Sequence, residues 1–150
     1  MINVLYIDDE PHNLVSFRAS FRRHFNIYTG DSAAEGRKIL ATTEIHVILS
    51  DQRMPKMTGI EFFESILNTY PDPIRILVTG YTDINAVIDA INRGQVYKYL
   101  TKPWYDNDIR NFIETSYELY RLKKENEALT NKLLDANSKL EFLARQSLLS

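Results

Sequence analysis

Five short apolar runs alternate along the first hundred residues with segments whose apolar positions repeat at helical spacing, and this alternation restricts the fold more than any other feature. The runs are "INVLYI" (2–7), "NIYTG" (26–30), "HVILS" (46–50), "IRILVT" (74–79) and "VYKYL" (96–100). Between them Leu14, Phe17, Phe21 and Phe25 recur every three or four residues, as do Ile60, Phe63, Leu67 and Tyr70. Ile84, Val87, Ile88 and Ile91 follow the i, i+3, i+4, i+7 pattern of an amphipathic helix. Asp31 or Ser32 is placed to cap a helix over 32–41, which Gly36 weakens by about 1 kcal/mol. Gly94 is placed to end a helix over 83–93. Alternation of this kind predicts an α/β fold, a doubly wound parallel sheet with helices on both faces. The two most apolar runs, 46–50 and 74–79, belong in its middle, buried on both sides.

In open α/β sheets, ligands gather at the carboxyl ends of the strands. There this chain sets Asp8, Asp9 and Glu10 after the first run, Asp51 after the third, Thr79 at the end of the fourth, and Lys102–Pro103 after the fifth. Nearby carboxylates repel one another unless a cation joins them. Oxygen ligands with room for water suit Mg²⁺ (or Mn²⁺). A metal beside a carboxylate serves phosphoryl transfer by neutralising oxygens that gain charge in the transition state. The lysine ammonium and threonine hydroxyl are suited to the remaining phosphoryl oxygens. Met54, Pro55 and Gly59 then turn the chain sharply, which would return a backbone carbonyl to the ion.

Taken together, "YIDDE", "ILSDQRMPKMTG", "LVTGYTD" and "YKYLTKPW" resemble the receiver domain of two-component response regulators, over residues 1 to about 120. The resemblance implies a flavodoxin-like five-stranded sheet in the order 2-1-3-4-5. It implies Asp51 as the phosphoacceptor, loaded from a phosphohistidine on a sensor histidine kinase or phosphotransfer protein. Mg²⁺ would be held by Asp9, Asp51 and the backbone carbonyl of Arg53, and by Asp8 chiefly through water. Lys102, ahead of a cis Pro103, would pair with the acceptor carboxylate or a phosphoryl oxygen. Thr79 would bond to the phosphoryl group and let Tyr99 rotate inward, shifting a face made by the fourth helix, fifth strand and fifth helix. Arg53 and Tyr81 would tune dephosphorylation. The alternative is a degenerate receiver that acts only as a phosphorylation-independent dimerisation module.

Residues 107–150 contain neither Pro nor Gly, so one helix of about 65 Å is open to them at 1.5 Å per residue. With Leu119, Asn126, Leu133 and Leu140 at heptad position a, position d holds Leu122, Leu129, Ala136 and Leu143. A lone asparagine at a favours a parallel two-stranded coiled coil, and Glu118 at g would face Lys123 at e of a second copy. Ala136 is a weak d residue. The chain is thus expected to divide into a receiver over 1–118 and a parallel coiled-coil linker over 119–150 that continues the last helix. Because no helix stop precedes Ser150, the rod is expected to lead to a C-terminal output domain that is missing. The ending "LEFLARQSLLS" resembles the lead-in to diguanylate cyclase domains, with Ser147 where an aspartate is expected.

Other classes fit less well. A net charge of -2 gives no general attraction to nucleic acid or anionic membrane. A basic-zipper protein needs a basic region before its zipper, and "YDNDIRNFIETSYELY" carries more acids than bases. Hydrolases of the haloacid-dehalogenase type place an acid two residues after the nucleophile, where this chain has Arg53. No free-standing enzyme is expected beyond the receiver's own phosphoryl transfer and dephosphorylation. His12, His24 and His46 lack metal-ligand spacing, and Trp104 is expected to anchor the last helix. There is no cysteine, no leader pattern and no run of about 18 apolar residues, so a cytoplasmic protein is expected.

Overall fold

All five runs form strands, and all pair in parallel. A computed structural model describes residues 1–80, 88 and 91–149. In chain order the elements are β1 (Asn3–Ile7), α1 (Pro11–Phe21), β2 (Asn26–Gly30), α2 (Ala33–Thr42), β3 (Val47–Asp51), α3 (Gly59–Ile66), β4 (Ile74–Thr79), α4 (Ile91–Gly94), β5 (Lys98–Thr101) and α5 (Asp106–Leu149). The sheet order is β2-β1-β3-β4-β5, as the resemblance implies. In-register pairs such as Ile7↔Ser50 and Asp51↔Val78 align the strand ends.

Alternate residues of each strand serve opposite faces. Val4, Tyr6, Val47, Leu49, Ile76 and Val78 pack against Phe17 and Phe21 of α1 and Ile109 and Ile113 of α5. Leu5, Ile7, Ile48 and Leu77 pack against Leu40 of α2 and Ile60, Phe63 and Ile66 of α3. Each such side chain contributes about 1.5–3 kcal/mol when fully buried. β4 is buried along its whole length, while the edge strand β5 leaves Tyr99 exposed.

Local chemistry sets the helix starts. Ser32, not Asp31, caps α2, its hydroxyl accepting from the Glu35 N–H at 3.2 Å. A Cβ on Gly36 would stand 2.5 Å from Ile7 Cδ1. The residue that weakens α2 in isolation therefore lets it lie close to the sheet. α3 opens in a capping box between Thr58 and Glu61, which satisfies two otherwise orphaned N–H groups. It ends earlier than its apolar pattern suggests: Phe62 and Ile66 are buried, whereas Leu67 and Tyr70 are half-buried beyond its last turn. Phe62 escapes the simple periodicity because it faces α2, with Arg37 5.7 Å above its ring.

Of the helix expected over 83–93, Ile84 and Val87 lie outside the described residues. Its end differs from expectation. Gly94 is still helical, and Gln95 takes the left-handed turn with φ 48°.

α5 buries Ile109, Ile113, Ser116 and Tyr120 at helical spacing. Near Tyr120 it is gripped by the foot of β3. The His46 ring meets Tyr117 and Tyr120 edge-on at 5.1 and 4.9 Å. The Asn3 N–H donates to His46 Nδ1 at 2.9 Å, and the Tyr120 hydroxyl donates to Glu44 at 2.9 Å. Burial lowers the His46 pKa, favouring the neutral ring that this hydrogen bond requires. The chain separates into two compact units, Met1–Tyr120 and Arg121–Ser150. Throughout 121–148 every residue is exposed. Among the described residues no helix is long and apolar enough to cross a membrane.

Candidate functional site

Asp51 ends β3, which lies between β1 and β4, so its carboxylate emerges at the middle of the sheet edge. The following loop folds straight back. Gln52 donates its N–H to Val78 O at 2.8 Å and accepts on its own carbonyl from the Gly59 N–H at 3.1 Å. Its side-chain oxygen accepts from the Ile60 N–H at 3.0 Å. Gly59 is required by space: a Cβ there would lie 2.6 Å from the Asp51 carbonyl oxygen and 2.8 Å from Leu77 Cδ1. Gly59→Ala is therefore expected to cost about 1–3 kcal/mol in urea unfolding. Gly80→Ala, whose Cβ would meet nothing within 4 Å among the described residues, should be near neutral in the same measurement.

Asp8, Asp9 and Asp51 each offer a carboxylate oxygen, and these oxygens lie within 4.8 Å of one another. Asp8 is buried, Asp51 partly buried and Asp9 exposed. Lys102 Nζ stands between two of them, 2.9 Å from Asp8 and 3.7 Å from Asp51. The resemblance implied a pairing with Asp51, but the shorter contact is with Asp8. The Lys102–Pro103 bond is cis. Thr79 is buried at the end of β4, its hydroxyl donating to Gly80 O at 3.2 Å. Trp104 packs against the core beside Tyr6 and Phe17, as an anchor should.

Tyr99 on β5 is 40% exposed, and Arg53 lies on the loop after β3 with an exposed side chain. Tyr81 lies outside the described residues.

Electrostatics separate the two central acids. Burial pushes the Asp51 carboxyl up to about 6; Lys102 opposes this, and the charges of Asp8 and Asp9 add to it. For Asp8, burial also disfavours the charge, but hydrogen bonds from the Glu10 amide, Lys102 and Tyr6 outweigh it and hold the carboxyl below its usual value. Tyr6 was missed among the candidates. Its hydroxyl donates to Asp8 Oδ2 at 2.8 Å, and the Asn13 amide donates to the same oxygen at 3.0 Å. A tyrosine in an apolar run reads as core, and only its position two residues before Asp8 hints at more.

The donor chemistry fits a hard divalent cation. All the side-chain ligands are oxygens, they carry excess negative charge, and one is exposed to admit water.

The model of the response regulator receiver domain matches residues 4–114. The chain belongs to this family. Two curated relatives are hydrogenase transcriptional regulatory proteins HoxA. The one from Cupriavidus necator is 32% identical over 147 residues, covering 98% of this chain and 30% of its own. The one from Bradyrhizobium diazoefficiens is 33% identical over 124 residues, covering 83% and 26%. The receiver chain thus spans less than a third of these relatives. A response regulator receiver domain from Clostridium thermocellum superposes with a TM-score of 0.75 at 27% identity, over 81% of this chain and 98% of its own.

Proposed function

We propose that this receiver domain accepts a phosphoryl group on Asp51 from the phosphohistidine of a sensor histidine kinase or phosphotransfer protein. The supporting observation is the convergence of Asp8, Asp9, Asp51 and Lys102 at one sheet edge. An Asp51 carboxylate oxygen attacks phosphorus as the donor's N–P bond breaks, and the electron pair leaves with the imidazole, which takes up a proton. Lys102 Nζ already stands 3.7 Å from Asp51, about 1 Å beyond a charge-assisted hydrogen bond, and Thr79 supplies a hydroxyl to the transferred group. Asp9, Asp51 and the Arg53 carbonyl would hold Mg²⁺ or Mn²⁺, with Asp8 acting through water. Bound there, the ion supplies neutralisation of the phosphoryl oxygens as their charge grows.

A dianion on Asp51 then draws Thr79 toward it and biases the face carrying Tyr99. We assign 1–118 to the receiver and 119–150 to a parallel coiled-coil linker in a homodimer, leading to an output domain of a longer protein. The Cupriavidus match, which continues over 98% of the chain, supports such a continuation. The exposed leucines at Leu122, Leu129, Leu133, Leu140 and Leu143 support the seam.

The test is intact mass after incubation with acetyl phosphate. One phosphoryl group is expected with Mg²⁺, and none once the metal is chelated. Neither an adduct nor beryllofluoride binding with Mg²⁺ would instead leave a dimerisation module.

A further inference from the structure

Tyr6 fills a core position on β1 that phenylalanine would fill as well. It is 1% exposed, and its ring stacks on Phe17 at 4.3 Å between centroids. A buried hydroxyl is unfavourable unless hydrogen-bonded, and this one has a defined partner. Residues 6 and 8 point to the same side of the strand line, so the phenol reaches Asp8 Oδ2 at 2.8 Å. Asn13, on the first turn of α1, reaches back to the same oxygen at 3.0 Å, and Lys102 reaches it at 2.9 Å. The Glu10 N–H takes Oδ1 at 3.0 Å.

Four donors therefore fix one carboxylate, three of them on a single oxygen. A carboxylate oxygen has about two lone-pair directions, so Oδ2 has no capacity left for a metal. Oδ1, with one donor, retains room to accept from a metal-bound water. Asp8 can neither turn nor present both oxygens to an ion. Among the described residues Asp9 and Asp51 carry no such set of side-chain donors.

Resting on the receiver reading above, we propose that Tyr6 and Asn13 are positioning residues that set the ion preference of the site by holding Asp8 out of direct coordination. Mg²⁺ demands compact octahedral geometry and keeps several waters, whereas Ca²⁺ gathers six to eight oxygens at longer range and readily takes bidentate carboxylates. A clamped Asp8 offers what Mg²⁺ uses and withholds what Ca²⁺ gains from. Lys102 also serves the acceptor, so it cannot be altered without disturbing the chemistry. Tyr6 and Asn13 can be.

The experiment is calorimetric titration of the full chain with MgCl₂ and with CaCl₂, for wild type, Tyr6→Phe, Asn13→Ala and the double variant. Tyr6→Phe keeps the stacked ring, and circular dichroism checks that each variant folds. The ratio of Mg²⁺ to Ca²⁺ affinity should fall by about tenfold or more in the double variant, the scale expected when partners behind metal ligands are removed. Each single variant leaves two donors on Oδ2, enough to fill it, so the ratio should move much less than in the double variant. An unchanged ratio in a folded double variant would overturn this role and leave Tyr6 purely structural. Binding of neither ion by wild type would remove the metal-dependent receiver reading itself, and the inference with it.

Discussion

Asp51→Asn is expected to abolish phosphoryl incorporation from acetyl phosphate while making the metal-free protein more stable above pH 6. The first effect follows from the nucleophile: an amide oxygen in place of the carboxylate cannot form the acyl phosphate. The second follows from where the carboxyl is held. Its pKa is about 6 in the fold, against an ordinary 3.8. Between roughly pH 4 and 6 the folded chain thus binds more protons at this position than the unfolded chain does. Stability falls as pH rises through that window, and the deficit persists above it. Its size is up to about 3 kcal/mol. Asparagine keeps the shape without the charge, and Lys102 retains its 2.9 Å contact with Asp8. Urea unfolding at pH 5 and pH 8 in the presence of a chelator reads this directly. The mutant's advantage should be larger at pH 8, and Mg²⁺ should narrow it by stabilising wild type. The difference between the two proteins isolates Asp51 from Asp8, whose lowered pKa acts in the opposite direction. Equal stabilities at pH 8 would mean that ionised Asp51 is not opposed by the fold. An adduct persisting in the mutant would place the acceptor elsewhere.

Leu133→Asp should take the proposed dimer apart, whereas Leu134→Asp should leave it intact. In the single chain the two side chains are nearly equally exposed, at 66% and 60%, so an isolated helix gives no reason for them to differ. The heptad does. Leu133 occupies an a position facing the second copy, and Leu134 occupies an outward b position. An aspartate at a places two carboxylates face to face across the axis and removes two buried leucines. Losing one large buried side chain typically costs about 2–5 kcal/mol, so the dimer should weaken, its Kd rising by more than about 100-fold. Sedimentation of wild type and both variants at matched concentration decides it. A monomeric wild type, or equal behaviour of the two variants, would remove the coiled coil and leave α5 without the proposed partner.

The sheet was legible because each strand carries its own burial pattern, while its limits were less so. The third run slips from 46–50 to Val47–Asp51, since a polar aspartate still joins the ladder by pairing with Val78. The fifth begins at Lys98 rather than 96. Residues 96 and 97 leave the ladder, and the Tyr97 N–H is taken by the Arg75 carbonyl at 2.9 Å. Asp8, Asp9, Asp51, Thr79 and Lys102 were readable because all stand at or just beyond corresponding strand ends. What escaped was how they share partners. Whether Lys102 lies closer to Asp8 or Asp51 turns on less than an ångström, and local pattern carries no such resolution. The clamp on Asp8 was hidden for another reason: Tyr6 satisfies the hydrophobic pattern and a polar contact at once, and only the first leaves a periodic trace.

The grip of Tyr117 and Tyr120 on His46 has a mechanical consequence. His46 immediately precedes β3, and Asp51 closes the same strand. At about 3.3 Å per residue, the five steps between them span roughly 17 Å. β3 is buried from Val47 to Ser50 and hydrogen-bonded to neighbours on both sides. A strand held in this way behaves as a stiff strut. Asp51 at one end and the seat of the two tyrosines at the other are therefore held at a fixed spacing by a single buried strand.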